Sequence, residues 1–325
     1  MNQPPSDGPA NGWLSRLTED ANKALTWREA DAVKSKGMSA FNSKNYQLAI
    51  EHYDRAIKLY GEEGQLNKIA ASDTFALRAV ALRHLGRFEE ALRSSNRAIE
   101  LDHEYPMAFY SRARTYGKLK REAEALRDYD RAIQLKSDHP WFYFHRAATF
   151  LKLKRNAEAL QDYETWARLE PDNPLPNFNR GDALKRMGRL DEARKAYDKA
   201  LEISQKDYRV FYSRGKLLDE MKDYRAAIAD YDRTIELNDR YDNAHVSRGI
   251  AYRALGQREK ALEDYDKALT LNPESSRAYS SRGWLYEKQG RLDLARADYE
   301  QGLKNSPDDA WLRRALDRLQ ARTNQ

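Results

Sequence analysis

Histidine and carboxylate side chains are the groups in this sequence that could act as general bases or bind a metal ion. The 6 histidines lie far apart or at irregular spacing, and none belongs to an HExxH motif. Cysteine is absent, which excludes disulfides and thiolate metal sites. The motifs GxxxxGK[ST], GxGxxG and GxSxG are also absent. The sequence therefore gives no positive reason to predict an enzyme, and we expect no metal or cofactor.

Arginine and aspartate recur at a fixed interval of 34 residues. A guanidinium group can bind carboxylates or phosphates of a ligand through two parallel hydrogen bonds. It can equally pair with an aspartate of its own repeat or of the adjacent one, and we favour this structural role because such pairs fix register. The arginines of this ladder are Arg78, Arg112, Arg146, Arg180, Arg214, Arg248 and Arg282, and the aspartates are Asp128, Asp162, Asp230, Asp264 and Asp298.

The elements that position these side chains repeat with the same period. Alanine recurs every 34 residues from Ala91 to Ala295, and all but the first of these alanines are followed four residues later by a tyrosine. Ala49 and Tyr53 form an earlier copy, which extends the series to eight repeats. A single globular core does not generate such a period, whereas a stack of repeated units does.

Each repeat contains two segments with the apolar spacing of an amphipathic helix. We count each repeat so that its periodic alanine is the twentieth residue. In the repeat of Ala227, Gly215 and Leu218 lie on the apolar face of the first segment, and Ala227 and Tyr231 on that of the second. A short turn separates the segments and often contains glycine, while prolines lie between repeats, and both residues mark helix ends. The pattern predicts a helix–turn–helix repeat.

This repeat resembles the tetratricopeptide repeat (TPR), whose length and Ala…aromatic…Pro pattern it shares. The resemblance covers residues 30–307 and implies an all-α, right-handed superhelical solenoid of eight repeats. Residues 308–325 are expected to form a capping helix and a tail, because their apolar residues have helical spacing and a polar outer side. Ser95, Trp166, Thr234 and Gly302 depart from the repeat pattern and should perturb packing locally.

Two further segments lie outside the regular pattern. Residues 1–29 are expected to form a polar tail and an amphipathic helix. This helix would pack on the first repeat or, alternatively, bind a partner or a membrane surface. Extra residues near 60–71 predict a longer connection in the first repeat, formed by a loop or an extended second helix, with a binding loop as the functional alternative.

The resemblance also implies a binding surface, because TPR first helices line a concave groove. The second, fifth, ninth, twelfth and thirteenth residues of each repeat face ligands there. Aromatic residues and cations alternate at those positions, which fits a peptide with aromatic or aliphatic anchors and acidic flanks. The same rings could instead pack between neighbouring first helices. The groove candidates are Tyr110, Arg114, Lys118, Trp141, Phe144, Lys152, Phe178, Lys185, Arg209, Tyr212 and Lys216. Trp284 is the ninth residue of the last repeat and is a further aromatic residue at such a position.

The first three repeats also resemble the TPR domains of chaperone-binding co-chaperones. Those domains hold the C-terminal carboxylates of a partner with a clamp of Lys, Asn, Asn, Lys and Arg. Only Lys34 matches, and the other four positions hold Met38, Leu77, Met107 and Ser111. We therefore expect no binding to the acidic tail of a cytosolic chaperone.

Charge and composition limit which functions the protein can have. The net charge is +6, but it arises from 57 basic and 51 acidic residues spread along the chain. We predict a cytoplasmic protein, because neither a secretory signal nor an apolar run long enough for a bilayer is present. The leading prediction is a non-enzymatic scaffold that binds a peptide segment of a partner. The alternatives are a regulatory subunit of a separate enzyme and a nucleic-acid-binding solenoid, which the near balance of charges disfavours.

Overall fold

The computed structural model describes residues 9–61 and 67–323, and every regular element in this part of the chain is an α-helix. The predicted all-α repeat fold is confirmed, whereas the right-handed superhelix stays a prediction. The chain divides into two compact blocks, Met1–Leu169 and Glu170–Gln325, which are described separately below.

The helices of the first block are α1 Pro9–Asn42, α2 Tyr46–Tyr60, α3 Lys68–His84, α4 Phe88–Leu101, α5 Pro106–Lys118, α6 Glu122–Leu135, α7 Pro140–Lys152 and α8 Asn156–Leu169. The helices of the second block are α9 Leu175–Arg186, α10 Leu190–Ile203, α11 Tyr208–Glu220, α12 Tyr224–Leu237, α13 Asp242–Ala254, α14 Arg258–Leu271, α15 Ser276–Lys288, α16 Leu292–Asn305 and α17 Ala310–Thr323.

Each repeat is a pair of helices joined by a tight turn with a left-handed residue. Glycine occupies this position at Gly86, where φ is 75°, and in three later repeats. Lysine takes the same conformation elsewhere, as at Lys120 with φ of 58°. Left-handed backbone lets the chain reverse directly after a helix, and only glycine adopts it without steric cost. The predicted turns therefore form with either residue.

The two helices of a repeat approach closely because small residues face each other across the pair. The periodic alanine is fully buried in each repeat, as at Ala227. The ring of Tyr231 on α12 lies directly over Gly215 on α11, where an added Cβ would be 2.7 Å from the Cε1 atom of the ring. Tyr197 lies over Gly181 in the same way, at 2.6 Å. The predicted contact between small residues and tyrosine thus sets the spacing of the helix pair.

The repeating arginines lie between two second helices. Arg214 donates from Nε and Nη2 to Asp230 of its own repeat, at 2.8 and 2.6 Å, and from Nη1 to Asp198 of the preceding repeat, at 2.7 Å. The hydrogen bonds to Asp230 and Asp198 raise the pKa of Arg214 above its ordinary range. Arg146, Arg248 and Arg282 make the same double contact with two aspartates. Arg112 bonds Asp128 of its own repeat but the amide oxygen of Asn96 in the preceding one. We call these contacts the arginine bridges.

The ladder is irregular at two of its predicted members. Arg78 bonds Asp54 of the first repeat, while Ser94 takes the place of its own-repeat aspartate and donates to the carbonyl of Phe75. In the repeat of Arg180 the corresponding residue is Ala196, which has no carboxylate to offer. The arginines of the bridges are about one-fifth exposed, so they do not extend into open solvent.

The N-terminal helix differs from its predicted form. Residues 9–29 continue directly into the first helix of the first repeat, and together they form the single helix α1. No proline or glycine lies between Trp13 and Lys36 to end a helix, which explains the continuity. Trp27 packs beside Ala30 and Val33 against Tyr60. The predicted polar tail at residues 1–8 lies outside the described residues.

The longer connection and the C-terminal helix complete the stack. α2 ends at Tyr60 and α3 begins at Lys68, about one turn earlier in its repeat than the later first helices. Residues 62–66 of the predicted longer connection lie outside the described part. α17 packs Leu312, Ala315 and Leu319 against the last repeat. The C-terminal segment therefore covers an apolar surface, as a capping helix does.

A methyl group at Gly215 should disturb the close helix pair. We expect Gly215→Ala to lower the free energy of unfolding by about 1–3 kcal/mol, because the Tyr231 ring must move. Gly117→Ala is the matched control, since its Cβ would meet nothing within 4 Å. It should be neutral or stabilising by up to about 1 kcal/mol. Urea unfolding followed by circular dichroism measures both, and equal effects of the two variants would contradict the packing argument.

An arginine bridge should contribute far more than an exposed ion pair. Arg214→Met leaves the buried Asp230 without its cation, so we expect a loss of about 3–5 kcal/mol in unfolding free energy. Arg189→Met removes an exposed, solvent-screened pair with Glu192 and should have a much smaller effect. The same denaturation measurement compares them. A small loss for Arg214→Met would show that the bridge is dispensable.

Candidate functional site

First helices of neighbouring repeats pack side by side within each block. In the first block α3 contacts α5 and α5 contacts α7. In the second block α9, α11, α13 and α15 contact each other in succession. Within each block, this arrangement brings together side chains from the positions predicted to face a ligand.

Four rings of α7 and α8 form an aromatic cluster, consisting of Trp141, Phe144, His145 and Trp166. Phe144 contacts the other three, with ring-centroid distances of 5.6 Å to Trp141, 4.7 Å to His145 and 5.0 Å to Trp166. Trp166 is only 1% exposed, whereas Trp141 is 48% exposed. Trp141 thus presents a large apolar surface to solvent on a base of packed rings.

Tyr110 is mainly a packing residue. Its ring is 8% exposed and lies 5.1 Å from Phe142 and 5.6 Å from His145. The guanidinium of Arg114 lies 5.7 Å from the Tyr110 ring, in the range of a cation–π contact. For Tyr110 the alternative of packing between first helices therefore describes the geometry better, and Arg114 remains on the surface above it.

Lys118 and Lys152 occupy the last turns of α5 and α7 and are exposed. Within the described residues, neither ammonium group forms an ion pair with a carboxylate. A cation at a helix C-terminus interacts favourably with the helix dipole. Both lysines are thus available to an acidic ligand.

Two residues of the first block, Trp166 and Arg83, belong to the candidate site although the sequence analysis did not predict them as site residues. Trp166 replaces a small residue of the repeat, and its size is the signal that it fills space beneath Phe144. Arg83 occupies a twelfth position on α3 and is 6% exposed. Burial and the nearby charge of Arg114 lower the pKa of Arg83 to about 10. Arg83 has no aromatic neighbour in sequence. Its position in the repeat was therefore the only sequence signal that it could belong to the site.

The aromatic candidates of the second block are partly buried. Phe178 lies 6.1 Å from the ring of Tyr197. Tyr212 lies 5.0 Å from the ring of Tyr241, and its hydroxyl group is 3.4 Å from the Oγ atom of Ser247. These rings pack between helices and keep only part of their surface exposed.

The cations of the second block are accompanied by acids. Burial lowers the pKa of Lys185 and of Lys216, and it raises the pKa of Asp182 and of Asp219. Because the two signs alternate along α9 and α11, this surface has less uncompensated positive charge than the sequence candidates suggest.

Arg209 is directed differently from the prediction. Its guanidinium bonds Asp207 at the start of α11, with Nη2 2.6 Å from Oδ2. This local pair is exposed and holds the side chain beside its own helix terminus. Trp284, by contrast, lies between cations, with Arg253 at 4.5 Å and Lys288 at 5.5 Å from its ring, in a pocket that Trp311 also lines.

Comparison with known proteins identifies the repeats. Models described as tetratricopeptide repeat or TPR repeat together match well over half of the chain. The matched segments are residues 35–63, 76–140, 110–174, 181–222, 208–241 and 246–310. The chain belongs to the tetratricopeptide-repeat family.

Curated TPR relatives match only a short part of their own length. A DnaJ homolog subfamily C member 7 homolog of Dictyostelium discoideum is 32% identical over 87 residues, which are 27% of this chain and 15% of that protein. The human mitochondrial import receptor subunit TOM70 is 32% identical over 90 residues, which are 28% of this chain and 14% of that protein. The chain therefore spans about a seventh of these relatives.

Two solved structures share the fold at low identity. The C-terminal part of a TPR protein from Cytophaga hutchinsonii aligns with a TM-score of 0.62 at 17% identity, covering 74% of this chain and 99% of that one. PilF of Pseudomonas aeruginosa aligns with a TM-score of 0.55 at 18% identity, covering 69% of this chain and 99% of that one. These likenesses concern the fold alone.

The one residue of this TPR chain that matches the carboxylate clamp is already paired. The Nζ atom of Lys34 lies 3.3 Å from Asp73 and 3.6 Å from Asp31. In the described part of the chain, no group of three or more histidine, aspartate and glutamate side chains could hold a metal ion. Among the same residues, no helix is both long and apolar enough to cross a membrane.

His145 should make stability depend on pH. Burial and the charges of Arg114 and Arg83 lower its pKa from 6.5 to about 3. Between these values the unfolded chain binds a proton that the folded chain does not, so stability falls as pH decreases from 6.5 toward 3. His145→Gln should reduce this slope by up to about 1.4 kcal/mol per pH unit.

The measurement is urea unfolding at a series of pH values below neutrality. His103→Gln is the control, because His103 is exposed on the turn that follows α4. It should leave the slope as in the unmodified protein. An unchanged slope in His145→Gln would contradict the assigned burial of this imidazole.

Proposed function

We propose that this TPR protein is an interaction scaffold that binds a peptide segment of a partner protein on the first helices of its first block. The observation that carries the proposal is Trp141, which is half-exposed on the packed aromatic cluster. An aromatic side chain held rigidly by its neighbours binds an apolar ligand group at a low cost in conformational entropy.

The surrounding charges support an acidic partner segment. Arg114, Lys118 and Lys152 lie on α5 and α7, and none forms an ion pair within the described residues. Complementary charge would speed association and orient the peptide, while an aromatic or aliphatic anchor on Trp141 would supply affinity. The occupied Lys34 and the residues at the other clamp positions favour a partner other than the acidic tail of a chaperone.

The second block supports a secondary contact surface. Phe178, Tyr212, Lys185 and Lys216 lie on α9 and α11, but Asp182 and Asp219 accompany them. This mixture of charges makes nucleic acid a less suitable ligand than a peptide, because nucleic-acid binding depends on uncompensated cations. A role as regulatory subunit of a separate enzyme would use the same peptide-binding surface. We also propose that the protein acts in the cytoplasm.

A displayed library of random short peptides tests the proposal. Peptides selected on the unmodified protein should bind Trp141→Ala at least about tenfold more weakly, because the anchor site is removed. Leu294→Ala is the control, since Leu294 is comparably exposed on α16 of the other block, and it should bind normally. Fluorescence anisotropy gives both dissociation constants.

Two results would contradict the proposal. One is a failure to select any peptide, and the other is equal binding by the unmodified protein and Trp141→Ala. Salt dependence separates the nucleic-acid alternative, because log affinity for single-stranded nucleic acid falls steeply with log salt. Peptide binding through Trp141 should depend on salt much less.

A further inference from the structure

Arg83 is a buried cation that the described carboxylates do not neutralise. It is 6% exposed, about as deeply buried as the aspartates that the bridging arginines bond within their own repeats. Its Nη1 atom reaches the Ser111 carbonyl at 3.5 Å, which is the one hydrogen bond that this side chain makes among residues 9–61 and 67–323. A guanidinium carries five N–H donors, so most of its donor capacity is left over.

The groups around Arg83 are donors and cations. The Arg114 guanidinium lies 5.7 Å from the Tyr110 ring, and that ring is 6.1 Å from the ring of Tyr129 and 5.6 Å from that of His145. Arg83 bonds the carbonyl of Ser111, which is next to Tyr110 in the chain, and burial together with the nearby charge of Arg114 lowers the pKa of Arg83. Together these five residues, which we call the basic pocket, bring positive charge and N–H and O–H donors from α3, α5, α6 and α7 to one place.

The fold does not require an arginine at this place. The residues at the same position of the next two repeats are Gly117 and Leu151, and their helix pairs form normally. A buried charge without a counterion is costly, and a second cation nearby increases that cost. A residue that is both unnecessary for packing and unfavourable in isolation indicates a site at which an anion supplies the missing charge.

We propose that the basic pocket binds one carboxylate group of an acidic peptide segment, with Arg83 and Arg114 as the two guanidinium donors. This inference rests on the proposed function and names the chemical group that the peptide must carry. It differs from the chaperone-type clamp, because neither Arg83 nor Arg114 occupies a clamp position; those positions hold Lys34, Met38, Leu77, Met107 and Ser111.

The geometry also limits where the carboxylate lies in the peptide. His145 is 6.2 Å from the ring of Trp141 and 5.6 Å from the ring of Tyr110. The exposed tryptophan and the pocket are therefore separated by no more than about three residues of an extended peptide. We expect an Asp or Glu within about three residues of the apolar anchor.

The first test uses inorganic sulfate and sodium chloride at equal ionic strength as probes of the empty pocket. Arg83→Met should raise the melting temperature in chloride, because it removes an uncompensated buried charge. Sulfate should raise the melting temperature of the unmodified protein more than that of Arg83→Met. Arg121→Met is the control, since Arg121 is exposed and paired with Glu124, and it should respond to sulfate as the unmodified protein does.

The second test selects the random short-peptide library in parallel on the unmodified protein, Arg83→Met and Arg121→Met. Acidic residues near the apolar anchor should be enriched on the unmodified protein and on Arg121→Met, but not on Arg83→Met. In a selected peptide, changing that residue to its amide should weaken binding about tenfold or more to the unmodified protein. The same change should leave binding to Arg83→Met nearly unaltered.

The outcomes separate this inference from the proposed function. Equal acidic enrichment on Arg83→Met would overturn the carboxylate pocket and leave peptide binding standing. If no peptide is selected on any protein, the proposed function fails, and an equal response to sulfate in all three proteins would overturn the pocket as well. If Arg83→Met does not fold, Arg114→Gln takes its place, because Arg114 is only partly buried and its loss removes the second guanidinium.

Discussion

The structure depends on how closely two helices of one repeat can approach. Glycine or alanine on the first helix and alanine on the second leave room for the tyrosine ring, which lies against the first helix at the van der Waals limit. Because a methyl group at the glycine would meet the ring, the contact recurs at Gly37, Gly181, Gly215, Gly249 and Gly283, while the other three repeats carry alanine there. This close approach sets the spacing of the helix pair in each of these repeats.

The arginine bridges use the spacing to connect successive repeats. Each of these guanidinium groups reaches forward to the second helix of its own repeat and back to that of the preceding one. The charged side chains that hold the stack together thus lie among the second helices. The first helices remain free to differ from repeat to repeat, which is why unrelated side chains such as Trp141 and Arg114 can occupy their exposed face.

Most of the fold could be predicted from the sequence, because the alanines and tyrosines record contacts that recur within each repeat. The pairing of the arginines could be anticipated for the same reason. The candidate site was harder to predict from the sequence, because it depends on contacts that occur in one repeat and do not recur in the others. Tyr110 is exposed or buried according to the residues of the next repeat, and Arg83 meets Arg114 only when α3 and α5 are adjacent. Likewise, α1 is continuous because no residue that ends a helix lies at the start of the first repeat. The repeat pattern alone does not show this.

The double contact of each arginine bridge has a consequence for folding cooperativity. In a linear array, stability is the sum of the repeats and of the interfaces between neighbours. A guanidinium shared by two repeats belongs to the interface, so unfolding one repeat breaks a charged contact with its neighbour, such as that of Arg214 with the partly exposed Asp198. Runs of bridged repeats such as those around Arg214, Arg248 and Arg282 should therefore unfold together, as one cooperative segment, rather than fraying one repeat at a time.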